Sequence, residues 1–244
     1  NHWKKSIHIV TPSNWLANCV RESKLMNSWP VSIIPNLLNT DNWKSVDQNL
    51  ARKTLNLPLH IPLIIFGTLG DNNSHNKGYD LLMKALNNIK DDKNLKKMEL
   101  VIFGKNTSKF IPKMKFPIHY IGHLNDTSLI NLYSAADATI VPSRQEAFCQ
   151  IASESLACST PIVAFNIGGL KDVVKHHNTG YLAKAFDTED LAKGISWVLD
   201  EKNKKLLSKQ ARERAIEKFS QQVVIKQYQT VYEKVLKNKN KDEN

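Results

Sequence analysis

Residues 138–165 read ATIVPSRQEAFCQIASESLACSTPIVAF, and their pattern decides the fold. Two runs in this stretch, Ala138–Val141 and residues 161–165, are short, apolar and rich in β-branched side chains. Between them, Gln150–Ala157 carries apolar residues at helical spacing. A strand that is apolar on both faces must be covered on both, which is the situation of a parallel sheet held between two helix layers. A half-exposed antiparallel strand would alternate polar and apolar side chains instead.

Working outward, the same unit repeats. Strands are expected at residues 7–10, 31–34, 63–66, 100–103 and 118–120, and helices at 14–23, 79–89, 126–135, 170–175 and 188–199. Ser13, Asp126 and Thr188 stand where a side chain can cap the first free amides. The alternation predicts an α/β fold built on a doubly wound parallel (Rossmann-like) sheet. Two further helices, 202–218 and 221–236, close the pattern, and the Lys, Asn and acid tail 237–244 is expected to be disordered. The polar stretch 35–59 holds no convincing strand and reads as an interdomain linker. Residues 1–34 are then the end of a preceding N-terminal domain, 60–218 a complete domain, and 219–236 a C-terminal helix. With Asn1 already close to a strand, the expectation is a chain that starts inside a longer protein.

Composition bounds the function. The 244 residues are 41% hydrophobic and 23% charged, enough apolar material for a core and too much for disorder. No apolar run approaches the roughly 18 residues of a membrane span, and no signal peptide is recognisable, which argues against a transmembrane or secreted chain. Cys19, Cys149 and Cys158 are odd in number and outside any CxxC spacing, so neither a disulfide framework nor a thiolate zinc site is indicated and a cytoplasmic location is expected. The 34 Lys and Arg against 23 Asp and Glu give +11, which favours anionic partners. The lysines are scattered and not interleaved with aromatics, which argues against nucleic acid and leaves a nucleoside diphosphate or an anionic membrane surface.

In open parallel sheets ligands bind outside the carboxyl ends of the strands. The loop after Val141 carries Glu146, and Glu154 follows eight positions later on the helix. Two glutamates near a helix start can simply face water and favour the macrodipole. Here they can also bracket a polyol, with the first amides, at Phe148, Cys149 and Gln150, offering an anion site. Gly168 and Gly169 follow the next strand, and paired glycines permit close approach to the backbone. The long polar loop 67–78 ends in Asn76-Lys77-Gly78, where Lys77 can neutralise a phosphate. Three strand ends thus point at one anionic polyol.

The stretch VPSRQEAFCQIASESLACSTPIVAFNIGGLKDVV, residues 141–174, resembles the signature of family 4 glycosyltransferases, retaining enzymes of the GT-B fold. SNWLA at 13–17, IPN at 34–36, KGYDLL at 77–82, LYSAAD at 132–137 and NTGYLA at 178–183 fall in the order that family shows, so the resemblance covers residues 7 to about 200. It implies transfer of a hexose, with retention, from a nucleotide-diphosphate sugar to a glycan or lipid-linked acceptor in cell-surface polysaccharide biosynthesis. It also implies no metal and no other cofactor, and is compatible with peripheral contact at the anionic inner face of the plasma membrane. Carried over by position, Glu146 and Lys77 are the catalytic candidates, Glu146 on hydroxyls of the donor sugar and Lys77 on the diphosphate. Glu154 takes the ribose hydroxyls, the Gly122-His123-Leu124 turn reads the base, and Phe148, Cys149, Gln150, Thr68, Gly168 and Gly169 complete the donor site. Thr68 and Asn76 stand where many members have arginine, and Cys149 and Ser159 where they have glycine. A nucleotide-sugar epimerase of the same fold and an inactive nucleotide-binding fragment are the alternative readings.

Overall fold

The computed structural model describes residues 7–68, 75–89, 97–104 and 116–242. It opens with strands β1 (Ile9–Thr11) and β2 (Val31–Ile33), a parallel pair joined by helix α1 (Asn14–Glu22). After α2 (Gln48–Thr54) come β3 (Leu63–Thr68), α3 (Tyr79–Asn88), β4 (Glu99–Gly104), β5 (Ile118–Gly122), α4 (Asp126–Ala135) and β6 (Ala138–Val141). Then follow α5 (Gln150–Ala157), β7 (Ile162–Phe165), α6 (Leu170–Val173), β8 (Gly180–Ala183), α7 (Thr188–Leu199), α8 (Glu201–Phe219) and α9 (Gln221–Asp242).

Strands β3 to β8 form one parallel sheet in the order β5-β4-β3-β6-β7-β8. The winding reverses between β3 and β6, and such a switch point leaves a crevice at the carboxyl ends of the two strands. Alternate strand residues feed two cores. Leu63, Ile65, Val101 and Phe103 pack with residues of α4, α5 and α8, whereas Ile64, Phe66, Leu100 and Ile102 pack with residues of α3 and α7. Burial of both faces is what the doubly apolar strands require.

Several sequence expectations need correction. The stretch 35–59, read as a linker, carries α2 and is bonded into the fold at the amino ends of β3 and β6. There Arg52, 3% exposed, donates to the carbonyls of Ala135, Pro58, Leu59 and Ile61 and, at 2.8 Å, to the Asp137 carboxylate. Asp137 also accepts from the Leu63 amide at 2.7 Å and pairs with Lys204 at 2.6 Å. NTGYLA contains the edge strand β8, absent from the sequence reading because only its end residues Gly180 and Ala183 are buried. Residues 237–242, expected to be disordered, continue α9, since lysine is a good helix former; residues 243–244 lie outside the described ones. The caps of α4 and α7 are Asn125 and Asp187, one residue before the Asp126 and Thr188 expected.

Among the described residues no helix is long and apolar enough to cross a membrane.

Candidate functional site

Helix starts distinguish the crevice from the rest of the molecule. Helices α1, α2, α4, α7 and α8 are each capped by a side chain, from Ser13, Asp47, Asn125, Asp187 and Asp200. Helices α3, α5 and α6, the next after β3, β6 and β7, begin at Gly78, Cys149 and Gly169 with no side-chain cap. At α5 the missing cap leaves the first amides for an acceptor from outside, whereas at α6 the Gly169 and Leu170 amides go to the Glu146 and Ile167 carbonyls and at α3 the Asp80 and Leu81 amides go to the Asp80 carboxylate.

Across the switch point the Lys77 ammonium donates to Glu146 Oε1 at 2.7 Å, and the Ser143 hydroxyl donates to the same oxygen at 2.8 Å. Their side chains are 28% and 12% exposed for Lys77 and Glu146, so the pair is open to solvent yet partly dehydrated. Gly78 makes the approach possible. Its φ is +68°, and a Cβ there would lie 1.9 Å from the Pro142 carbonyl oxygen. Arg144 holds the turn from outside, donating to both oxygens of Asp80 at 2.8 and 2.7 Å and to the His75 carbonyl, while its amide donates to the Asn76 carbonyl at 2.8 Å. Hydrogen bonding to Arg144 holds the Asp80 carboxyl below its ordinary range. Arg144 is thus a second cation beside Lys77 that the sequence reading did not find, but its charge is matched by Asp80. Residues 69–74 of this loop, and the side chain of Thr68 at the end of β3, lie outside the described ones.

The paired glycines serve the site through the protein's own backbone. A Cβ at Gly168 would lie 2.3 Å from the Glu146 carbonyl oxygen and one at Gly169 2.2 Å from that of Ala147. The Gly169 amide donates to the Glu146 carbonyl at 2.8 Å. The close approach they permit is occupied by the loop that carries Glu146, which they hold in place.

Phe148 and Cys149 belong to the core, with the Phe148 ring edge-on to Phe219 at 5.5 Å. What these two residues can offer a ligand is main chain. Cys149 has φ +86° and Ser159 φ +64°, so both positions where the resemblance implies glycine have backbone that glycine adopts most easily. Strain at Cys149 is of order 1–3 kcal/mol. Burial pushes its thiol up to about 12, which favours the neutral thiol at neutral pH.

Beside Cys149 a cavity of about 150 Å³ opens, lined by His123, Leu124, Tyr133, Gln150, Ile151 and Glu154, with Phe103, Gly104 and Leu129 behind. Of the candidates named from the sequence it gathers His123, Leu124, Gln150 and Glu154; Gly122, at φ +75°, turns the chain out of β5 into it. Tyr133, Phe103 and Ile151 were not singled out. Burial raises the Glu154 carboxyl to about 7, opposed by hydrogen bonds from Tyr133 and Gln150 and reinforced by Asp126. Since the folded protein keeps this proton after an unfolded glutamate has lost it, stability falls as pH rises from about 4.5 to about 7. Glu154→Gln should therefore raise the melting temperature at pH 8 by a few degrees and leave it nearly unchanged at pH 4.5, as thermal melts at the two pH values would register. A larger cavity, about 250 Å³, lies at the amino ends of the strands around Arg52, Asp137 and Lys204, where the charges satisfy one another. Among the described residues no three His, Cys, Asp or Glu side chains gather to hold a metal.

Residues 65–218 match the family described as glycosyl transferases group 1. The chain belongs to this family. Among curated relatives of this group 1 member, N-acetyl-alpha-D-glucosaminyl L-malate synthase of Bacillus anthracis is 30% identical over 112 residues, 46% of this chain and 29% of that protein. Sucrose-phosphate synthase from Thermosynechococcus elongatus has the same fold, with a TM-score of 0.79 at 24% identity over 95% of this chain and 59% of that one. The Anabaena protein HepE, solved in complex with UDP-glucose, gives 0.72 at 16% identity over 93% of this chain and 63% of that one. These likenesses are to GT-B glycosyltransferase structures, and the chain spans less than two thirds of the length of each of the three proteins.

Proposed function

We propose that this chain is the donor-binding part of a glycosyltransferase that takes a hexose from a nucleoside-diphosphate sugar and passes it, with retention, to a glycan or lipid-linked acceptor in cell-surface polysaccharide synthesis. The observation that carries the reading is the Lys77–Glu146 pair, set across the switch point beside a cavity that ends at Glu154. A diphosphate reaching the crevice competes with Glu146 for the Lys77 ammonium and gains the uncapped amides at the start of α5. Glu146, released from Lys77 but still held by Ser143, then accepts from hydroxyls of the sugar. Glu154 accepts from the ribose, and the apolar walls formed by Leu124, Leu129 and Ile151 sandwich the base.

As the glycosidic bond breaks, negative charge grows on the leaving diphosphate. A lysine and fixed amide dipoles stabilise that charge in a partly dehydrated site, and no metal is required for this step. Retention and the acceptor class rest on the motif likeness in residues 141–174. The net charge of +11 supports a place at the anionic cytoplasmic face of a membrane, where lipid-linked acceptors lie. The structure of HepE with UDP-glucose makes that compound the first donor to try.

Titrating single variants with UDP and with UDP-glucose tests the division of roles. Lys77→Ala is expected to weaken UDP at least tenfold, the loss of a charge-assisted bond of about 1.5–3 kcal/mol. Glu146→Ala should leave UDP within about threefold and lower the extra affinity that the sugar contributes. Equal losses for both ligands in both variants would contradict the assignment.

A further inference from the structure

We propose that Tyr133 is a positioning residue for nucleotide recognition, its phenol fixing the Glu154 carboxylate in the orientation that receives the ribose hydroxyls. The inference rests on the reading of the 150 Å³ cavity as the nucleoside site. Tyr133 is fully buried on α4, its ring edge-on to Phe103 at 6.0 Å and tilted against Trp43 at 6.1 Å. From that fixed ring the hydroxyl donates to Glu154 Oε2 at 3.0 Å, across from α4 to α5. The main chain of Tyr133 is anchored as well, its carbonyl accepting from the Thr160 hydroxyl at 2.6 Å just beyond α5.

The arrangement answers a physical difficulty at this site. Glu154 sits among Leu124, Leu129 and Ile151, where burial favours the protonated form. A protonated carboxyl turns one oxygen into a donor and accepts only weakly from a vicinal diol, while a charged one accepts strongly on both oxygens. A buried phenol is a donor that stays protonated: burial and the neighbouring carboxylate push Tyr133 well above its ordinary range. It therefore supports the charged form of Glu154 without a positive charge that would form a salt bridge there and compete with the ribose. The other groups around Glu154 are Gln150 on α5, Cys149 and Cys158 at its two ends, Asp126 on α4, and His123 in the loop before α4. Asp126 opposes the charge, Gln150 supports it, and both remain in a Tyr133 variant.

The test pairs a titration of Glu154, followed by carboxyl carbon NMR in the free protein, with UDP affinity between pH 6.5 and 9.5 for wild type, Tyr133→Phe, Glu154→Gln and Tyr133→Phe/Glu154→Gln. In Tyr133→Phe the Glu154 midpoint should move up by about one unit from its value near 7. UDP affinity should fall roughly tenfold at pH 7, and the deficit should shrink to less than about threefold at pH 9.5, where Glu154 is charged in both proteins. With glutamine at 154 the Phe substitution should bring no pH-dependent change. An unmoved midpoint, or a deficit that is the same at every pH, overturns the positioning role and leaves the nucleotide site standing. A wild type that binds neither UDP nor any other nucleoside diphosphate while the midpoint still moves overturns the nucleotide reading, and the inference with it.

Discussion

Replacing Glu154 by alanine is expected to lower the affinity for a nucleoside diphosphate by roughly ten- to a hundredfold at pH 8, the cost of losing charged hydrogen bonds worth about 1.5–3 kcal/mol. The pH matters. Near neutrality part of the protein carries a protonated Glu154, so the wild type itself binds below its full strength and the difference is compressed. Above pH 8 the carboxylate is charged and the full effect appears. The same substitution strands the buried Tyr133 hydroxyl, so stability is read from Glu154→Gln, which keeps an acceptor, removes a group whose ionisation in a partly apolar cavity is unfavourable, and should be no less stable than wild type at that pH. A site residue that weakens the free fold and strengthens the complex fits a binding role, since a group kept for packing would do neither. Calorimetric titration at pH 8, with melts of the free proteins, would separate the two effects.

Asp137→Ala should destabilise the protein by about 3–5 kcal/mol, the usual consequence of removing one partner of a buried ion pair. The loss strands the Arg52 guanidinium at 3% exposure, frees the Leu63 amide at the start of β3, and leaves Lys204 without its carboxylate. For a chain of this length the melting temperature should drop by roughly 6–20 °C. Lys204→Ala is the internal control. Its side chain is 38% exposed, and its deletion should cost less than about 1 kcal/mol. Because this network lies at the amino ends of β3 and β6 and the candidate site at their carboxyl ends, nucleotide affinity of the folded Asp137→Ala protein should stay within a few-fold of wild type. A large loss of affinity without a loss of stability would mean that the larger cavity, and not the crevice, holds the ligand.

The contrast between the two networks explains what could be read from the sequence. β6 and β7 were legible almost to the residue because both faces of each strand are apolar and the bounding Pro142 and Asn166 break the pattern. Glu146, Lys77 and Glu154 were legible as candidates because each follows a strand at short range, and the resemblance then assigned them roles. What was hidden is whatever joins distant parts of the chain. Arg52 meets Asp137 across 85 positions, Arg144 meets Asp80 across 64, and Tyr133 meets Glu154 across 21. No periodicity reports such partners. The α2 segment was missed because its polar composition matches a linker, and only the buried Arg52 and Ala51 show that it packs. Gly168 and Gly169 were read as room for a ligand because a glycine pair advertises space without saying what fills it; here the backbone of residues 146–147 does. At Cys149 and Ser159 the side chain disguised a backbone of positive φ, to which the resemblance pointed only through the glycines it implies there.

On the reading proposed above, the crevice between β3 and β6, from the Lys77–Glu146 pair to Glu154, receives a nucleoside diphosphate. The deciding measurement is isothermal titration of the unaltered chain with UDP at pH 8. Saturable binding of one UDP per chain is expected, with a dissociation constant below about 1 mM, the range in which enzymes hold their substrates, and a loss of tenfold or more in both Lys77→Ala and Glu154→Ala. Binding of equal strength in wild type and both variants would contradict it, as would no binding by the folded wild type of UDP or of any other nucleoside diphosphate.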